Sequence, residues 1–187
     1  TILVAEGKKE SAILDAEAEK QAEILNYLLT PATIALAIPL YQQLSLLRKN
    51  LLAVICGIIS GVFASMSSVL AMSVLFSLSH EDFVTLLPKS ITTAIGMGVS
   101  EELGGIQTIT VAVIIVTGVL GNVIGEGVCK LFRITEPISR GLALGTAAHA
   151  IGTAKALEMG EIEGAMSSLS IAVAGLLTVV FASFYAM

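Results

Sequence analysis

The chain contains no tryptophan, few charged residues and only two cysteines among its 187 residues. Charged residues make up 13% of the sequence, whereas a soluble domain usually devotes about a quarter of its residues to charge. Hydrophobic residues make up 55%, so the composition argues against a soluble domain with a charged shell. The net charge of −5 and the lack of a basic stripe give no indication of nucleic-acid binding.

The few cysteines and histidines argue against a metal centre and a disulfide framework. Cys56 and Cys129 both lie in apolar segments, where a free cysteine usually serves as a small buried hydrophobe. No ligand spacing typical of a metal site is present. The sequence also has no paired acids at catalytic spacing and no nucleophile motif. We therefore expect no enzyme activity, no metal and no cofactor.

The first 23 residues differ in composition from the rest of the chain. They hold six acids and three lysines, and they are rich in alanine. Such a run favours a solvated helix. We therefore predict a charged amphipathic helix over residues 1–23, either foreign or an N-terminal extension, and a transmembrane domain over residues 24–187.

Long apolar runs dominate the second part of the chain. Because bilayers force nearly all spanning backbone into helices or closed barrels, these runs predict an all-α polytopic membrane protein. A span needs about 20 apolar residues. We predict four clear transmembrane helices, at residues 24–47 (interrupted by Pro31 and Pro39), 51–78, 106–132 and 162–187.

Two further segments are polar and rich in glycine, at residues 88–105 and 137–160. Each opens with a proline and carries hydroxyls and a cation where a lipid-facing helix would carry leucine and valine. Polar groups at membrane depth are costly and usually functional. Interrupted segments in matching positions of two halves point to a transport site. We predict two interrupted helices, either crossing or re-entrant, beside the four clear ones.

The cations indicate how the chain is oriented in the bilayer. Arg48 and Lys49 form one cluster, and three cations lie within residues 130–140. The positive-inside rule places both clusters on the cytoplasmic side. Two full spans and the first polar segment separate the two clusters. Both clusters can lie on the same side only if the number of crossings between them is even, which requires residues 88–105 to be re-entrant.

Candidate site residues lie in the two polar segments. Lys89 fits two roles, a cation for a substrate carboxylate or an interfacial lysine that reaches the headgroups. His149 also fits two roles, a proton carrier or ligand donor and a buried, hydrogen-bonded core residue. Gly145 would let the helix unwind. The predicted substrate-binding residues are Lys89, Ser90, Thr92, Thr93, Thr146, His149, Gly152 and Thr153.

Four motifs in order resemble the LrgB/CidB family: LLTPATIALAIPLYQQL at residues 28–44, PKSITTAI at 88–95, GTAAHAIGTAKALE at 145–158 and GEIEGAMSSL at 160–169. The resemblance implies a multi-pass plasma-membrane protein with discontinuous helices, similar to secondary transporters. It implies alternating-access transport of small monocarboxylates of the glycolate, glycerate, pyruvate or lactate class. The alternative is a non-transporting regulator of lysis and murein hydrolase activity that acts with a holin-like LrgA/CidA partner. A homodimer fits either function.

The chain departs from the family pattern at two places. The family's TTP reads Thr92-Thr93-Ala94, so the helix break is expected at Gly96 and Gly98. Residues 1–23 resemble the helical tail of stomatin and prohibitin proteins. The regulator alternative needs a packing surface, and the GxxxG pair of Gly57 and Gly61 is the candidate for it.

Overall fold

A computed structural model describes residues 37–186 continuously, together with Lys20, Tyr27, Pro31 and Ile34. The chain divides into two compact units, Thr1–Ile38 and Pro39–Met187, and the helices below belong to the second. The predicted helix of residues 1–23 lies almost entirely outside the described residues. The same holds for the first part of the predicted span at residues 24–47.

Seven helices follow one another from Leu44 onward, and no strand occurs in the described residues. This confirms the all-α class. The helices are α1 (Leu44–Lys49), α2 (Leu51–Phe76), α3 (His80–Leu86), α4 (Thr93–Glu102), α5 (Gln107–Leu131), α6 (Pro137–Met159) and α7 (Glu161–Tyr185).

Three of these helices, α2, α5 and α7, are long and apolar enough to cross a membrane. They contain 26, 25 and 25 residues, with mean hydropathies of 2.0, 2.1 and 2.0. At 1.5 Å per residue such helices are about 38 Å long, which exceeds the roughly 30 Å hydrocarbon core. They correspond to the last three predicted spans. The predicted total of four is not confirmed, because residues 24–36 of the first span are mostly outside the described part.

Helices α3 and α4 form a hairpin, called here the first hairpin (residues 80–102). Ser79 caps α3, since its hydroxyl accepts the Asp82 N–H at 3.1 Å. The chain beyond α4 returns to α3, where the Ile106 N–H donates to Thr85 Oγ1 at 2.8 Å. The Thr110 hydroxyl donates to the Thr85 carbonyl at 2.8 Å. The chain that leaves α4 therefore returns to the last turn of α3 at the start of α5, which is the re-entrant arrangement rather than the crossing one.

The break in the first hairpin lies at residues 87–92, called here the first tip. Pro88 has no N–H to donate to the preceding turn, and the backbone is extended at Thr92 (φ −64°, ψ 145°) before α4 begins. Gly96 and Gly98 lie inside α4. The prediction that these two glycines break the helix is therefore wrong, because the interruption precedes them and Gly96 instead packs against the Ile114 side chain.

Helix α6 also reverses, and forms the second hairpin (residues 137–159). Its backbone leaves the helical conformation at Ala148 (φ −129°, ψ 15°) and His149 (φ 42°, ψ −137°). A Cβ on Gly145 would lie 2.9 Å from Ser167 Cα, while Thr153 Oγ1 lies 2.6 Å from Ser167 Oγ. A continuous helix would separate residues 145 and 153 by about 12 Å. The predicted break at Gly145 is therefore corrected to Ala148 and His149, within the second tip (residues 146–149).

The two hairpins enter the bundle from opposite ends. The first enters from the end where α2 finishes and α5 starts, and this acidic end carries Glu81, Asp82, Glu101 and Glu102. The second enters from the other end. Within residues 37–186, every lysine and arginine except Lys89 lies at or near that second, cationic end. Such an asymmetry agrees with a cytoplasmic location of the cationic end.

The hairpin arrangement predicts which residues share a face of the membrane. In a background with Cys56 and Cys129 replaced by alanine, single cysteines at Glu81 and Glu102 should react with an impermeant maleimide from one side. Single cysteines at Lys49 and Arg133 should react only from the other side. Labelling of intact spheroplasts and of inverted vesicles measures this directly. Labelling of Glu81→Cys and Glu102→Cys from opposite sides would show that residues 80–102 cross the membrane.

Candidate functional site

The tips of the two hairpins meet inside the bundle. Ser90 of the first tip and Thr146 of the second line the same small cavity of about 10 Å³, together with Ala174 and Thr178 of α7. Ser90 and Thr146 also line a larger cavity of about 710 Å³. A volume of that size is typical of sites for small molecules. The two interrupted segments are therefore brought together at one place.

Small residues of α2 and α6 form the walls of the larger cavity. On α2 these are Gly57, Ser60, Gly61, Ala64, Ser65 and Ser68, and on α6 they are Ser139, Ala143, Thr146 and Ala147. A Cβ on Gly61 would lie 2.9 Å from Thr146 Oγ1, and a Cβ on Gly57 would lie 3.0 Å from Leu142 Cδ1. The Gly57/Gly61 pair thus packs against α6 of the same chain. Its use as a partner-binding surface stays a prediction.

Lys89 lies at the first tip with two serine hydroxyls around its ammonium group. Lys89 Nζ donates to Ser90 Oγ at 2.9 Å and to Ser65 Oγ at 3.2 Å. The Ser65 hydroxyl donates to Ser90 Oγ at 3.0 Å. Within residues 37–186 no carboxylate pairs with Lys89, whose side chain is half-buried at the cavity. A cation held only by neutral hydroxyls is suited to an anion.

The hydrogen-bond donors of this triad point to what it can bind. An ammonium has three protons, and the two serines accept two of them. The Ser65 hydroxyl donates its proton to Ser90 Oγ. The hydroxyl proton of Ser90 therefore has no partner in the triad. The triad therefore offers two donors, the third N–H of Lys89 and the O–H of Ser90. Two adjacent donors, one of them charged, match the two oxygens of a carboxylate.

The threonines of the polar segments make mostly local contacts. Thr146 lines both cavities, but its hydroxyl donates to the Leu142 carbonyl of its own helix at 2.7 Å. Thr92 is the N-cap of α4 and makes no side-chain cap hydrogen bond, and Thr93 is the first residue of that helix. Both are half-buried beside the first tip and outside the lining of the larger cavity.

His149 lies behind the cavity wall rather than in it. Its side chain is 3% exposed, and Nε2 lies 2.9 Å from the Ile114 carbonyl oxygen of α5. A carbonyl oxygen only accepts hydrogen bonds, so Nε2 carries the proton in this arrangement. The Thr153 hydroxyl donates to the His149 carbonyl at 3.0 Å. His149, Gly152 and Thr153 therefore form a packing cluster, separate from Lys89, Ser90 and Thr146.

Glycines on one face of α5 let the second tip approach closely. A Cβ on Gly118 would lie 2.7 Å from His149 Cε1. Gly121 faces Ala148, and Gly125 faces Leu144. The positive φ of His149 is costly for a residue that has a side chain, and such conformations persist only where the surroundings impose them. The glycine face and the bond to Ile114 impose this one.

Ion pairs fix the second hairpin to its neighbours. Glu126 of α5 pairs with Lys130 at 2.8 Å, as the spacing of four predicts, and with Lys155 at 3.3 Å. Asn122 Nδ2 donates to the Ile151 carbonyl at 2.8 Å. The second arm of the hairpin is therefore bound to α5 at two successive turns.

Ser65 is the site residue that the sequence analysis missed. It lies in the middle of the apolar run of α2. At such a position the expected role of a serine hydroxyl is a hydrogen bond to a backbone carbonyl of its own helix. One signal was available. Ser60, Ala64 and Ser68 recur with Gly57 and Gly61 on one helical face, and such small and polar residues mark packing faces between membrane helices.

Comparisons with known proteins agree with this arrangement of motifs. The profile of the LrgB-like family matches residues 15–187. The chain belongs to the LrgB-like family. It is 40% identical over 158 residues to proteins named antiholin-like protein LrgB from Bacillus cereus and Bacillus anthracis. The aligned part is 84% of this chain and 69% of each relative. No solved structure matches the chain.

Family membership supports the general class of the protein. It is an all-α membrane protein of the LrgB-like family, as the four motifs predicted. The family match begins at residue 15, inside the block of residues 1–23. The resemblance of that block to stomatin and prohibitin tails is not supported.

The glycine face of α5 predicts a sharp difference between two alanine variants. Gly118→Ala should lower the thermal unfolding temperature in detergent, because its methyl group would displace His149 from Ile114. We expect a loss of about 1–3 kcal/mol in the free energy of unfolding. Gly127→Ala is the matched control on the same helix, since a Cβ there meets no atom within 4 Å. Equal unfolding temperatures for the two variants would contradict the packing described here.

Proposed function

We propose that this chain is a plasma-membrane carrier that moves small monocarboxylates by alternating access. The observation that supports it best is the ammonium of Lys89. It is held by Ser65 and Ser90 at the tip of a re-entrant hairpin, beside a cavity of about 710 Å³. The substrate class is an anion with two oxygens and one negative charge, such as glycolate, glycerate, pyruvate or lactate.

Electrostatics favours a single negative charge on the ligand. A lysine inside a membrane protein costs free energy unless an anion compensates its charge. Among the described residues that line this cavity, Lys89 is the single basic one, so one negative charge neutralises it. A dicarboxylate would leave its second charge without a partner. The serines supply the remaining hydrogen bonds, so the carboxylate is not left with unsatisfied oxygens.

The cavity gives the carrier an entry side. Its lining runs along α2 from Ala53, near the cationic end, past Ser65 to Ser68, and Lys89 lines it at the first tip. Buried Leu87, at the same tip, adjoins the small cavity on the other side of Ser90. We propose that in this conformation the carboxylate enters from the cationic end. Transport then requires that the first hairpin shift against α2 to open the acidic end.

His149 is the proton-coupling candidate, and its position sets a condition on that role. The imidazole bonds to Ile114 and lies outside the lining of the larger cavity. A proton from the cavity reaches it only if the second tip moves away from α5. Coupling through His149 would therefore be linked to the opening motion of the second hairpin.

Loss of the Lys89 charge should abolish most carboxylate uptake. In proteoliposomes, Lys89→Met should lower the initial uptake of radiolabelled glycolate, pyruvate or lactate by roughly 10- to 100-fold, since a hydrogen bond to a charged group contributes about 1.5–3 kcal/mol. Ser65→Ala should cause a smaller loss. Lys49→Met is the matched control, because Lys49 is exposed and outside this cavity.

Two results would count against the carrier proposal. One is uptake by the Lys89→Met variant at the same rate as uptake by the protein without the substitution. The other is the absence of uptake of all three acids by the unchanged protein, in vesicles that hold the correctly folded chain.

A second candidate function rests on the names of the relatives. Their name, antiholin-like protein LrgB, suggests a regulator of cell lysis and murein hydrolase activity. In that role the chain would act with a holin-like partner of the LrgA/CidA type. The cavity and Lys89 would then have no direct use.

Complementation of a deletion strain separates the two functions. If the chain is only a regulator, Lys89→Met should restore the normal autolysis rate as fully as the unchanged chain does. If carboxylate flux underlies the phenotype, Lys89→Met should fail while Lys49→Met succeeds. The autolysis rate in detergent-treated cells is the measurement, with membrane levels of each variant matched by immunoblot.

A further inference from the structure

We propose that the cationic end of α1 and the groove between α2 and α7 form a binding site for one anionic phospholipid. Two separate features of the surface follow each other along α1 and α2. One is an open cationic pocket along one face of residues 41–49. The other is an apolar groove that begins at Leu47. This site is independent of the carboxylate site.

The cationic pocket has the chemistry of a phosphate site. It is an open cavity of about 640 Å³ lined by Tyr41, Gln42, Leu44, Ser45, Arg48 and Lys49. Arg48 and Lys49 are exposed, and no acid within residues 37–186 pairs with either. Tyrosine, glutamine and serine add neutral hydrogen-bond donors. Arginine beside lysine, with such donors, is the usual combination for binding a phosphate group.

The groove below the pocket is wholly apolar. It has a volume of about 370 Å³, and leucine, isoleucine and valine of α2 and α7 line it. Leu51 and Ile55 are 50% and 43% exposed along it. On α2, Val54 and Ile58 form its buried base, at 1% exposure each. Branched side chains that leave a continuous trough suit a flexible chain rather than a rigid helix, which would need small residues at the contact.

The length of the groove matches one leaflet of a bilayer. Its lining runs from Leu51 to Ile59 on α2 and from Leu169 to Leu177 on α7, about 12 Å of helix on each side, with Leu47 of α1 at one end. Half of a hydrocarbon core is about 15 Å thick. Because Arg48 and Lys49 lie at one end of the groove, a phosphate bound there would place its acyl chain along the groove. The pocket and the groove thus fit the two parts of one molecule.

The sign of the charge selects the lipid. Cationic residues at the cytoplasmic face attract lipids that carry a net negative charge. A zwitterionic lipid carries an additional ammonium, which Arg48 and Lys49 would repel. The expected ligand is therefore an anionic glycerophospholipid, and phosphatidylglycerol is a suitable probe.

Native mass spectrometry of the full chain in detergent tests the site. We expect phosphatidylglycerol to be retained in preference to phosphatidylcholine with the same acyl chains. Each basic residue near an anionic group contributes roughly fivefold to affinity, so Arg48→Gln with Lys49→Gln should lower the affinity about 25-fold. The matched control is Lys130→Gln with Arg133→Gln, which removes the same charge at the same end of the bundle and should change the affinity little.

A second pair of variants tests the groove. Val173→Phe would fill it and should weaken binding of phosphatidylglycerol while leaving binding of glycerol phosphate unchanged. Val179→Phe, on the exposed part of α7 and outside the groove, should have no effect. Equal loss in the two double variants, equal retention of both lipids, or full lipid binding by Val173→Phe would each overturn the proposal.

Discussion

A chain that turns back inside a membrane must satisfy the polar groups of the turn without water, and the rest of this structure depends on how it does so. The two tips satisfy them differently. The first tip surrounds Lys89 with the hydroxyls of Ser65 and Ser90. The second bonds His149 to the Ile114 carbonyl. The second tip needs neighbouring helices that come very close, which explains why α2 and α5 present glycines where they meet α6.

The two solutions have different consequences for function. The second tip is closed, since the bonds of His149 and Thr153 end on the protein itself. The first tip is open, since a proton of Lys89 and a proton of Ser90 remain free beside a cavity. A cation with free donors beside a cavity is suited to a negative ligand. Under the carrier proposal, the first hairpin binds the substrate and the second supports it.

Sequence alone predicted the helical class, three of the membrane spans and the interruption of both polar segments. Charge counting also favoured the re-entrant alternative for residues 88–105. The sequence did not predict which polar residues meet, because hydroxyls bonded to their own helix and hydroxyls facing a cavity have the same local pattern. Ser65 was therefore missed. The helix breaks were assigned to Gly96, Gly98 and Gly145, but glycine in a membrane helix serves close packing as often as unwinding, and here the contacts of Gly96 and Gly145 serve packing.

The central claim is that the first tip reaches the middle of α2 and places Lys89 there. Disulfide trapping in native membranes tests it most directly. The Ser65 and Ser90 hydroxyls lie 3.0 Å apart, so cysteines at these two positions are close enough to bond on mild oxidation. Ser68 lines the same cavity without contacting Ser90, and a cysteine pair at 68 and 90 is the control. The account predicts rapid trapping of the 65/90 pair alone. No trapping of that pair, or equal trapping of both pairs, would contradict it.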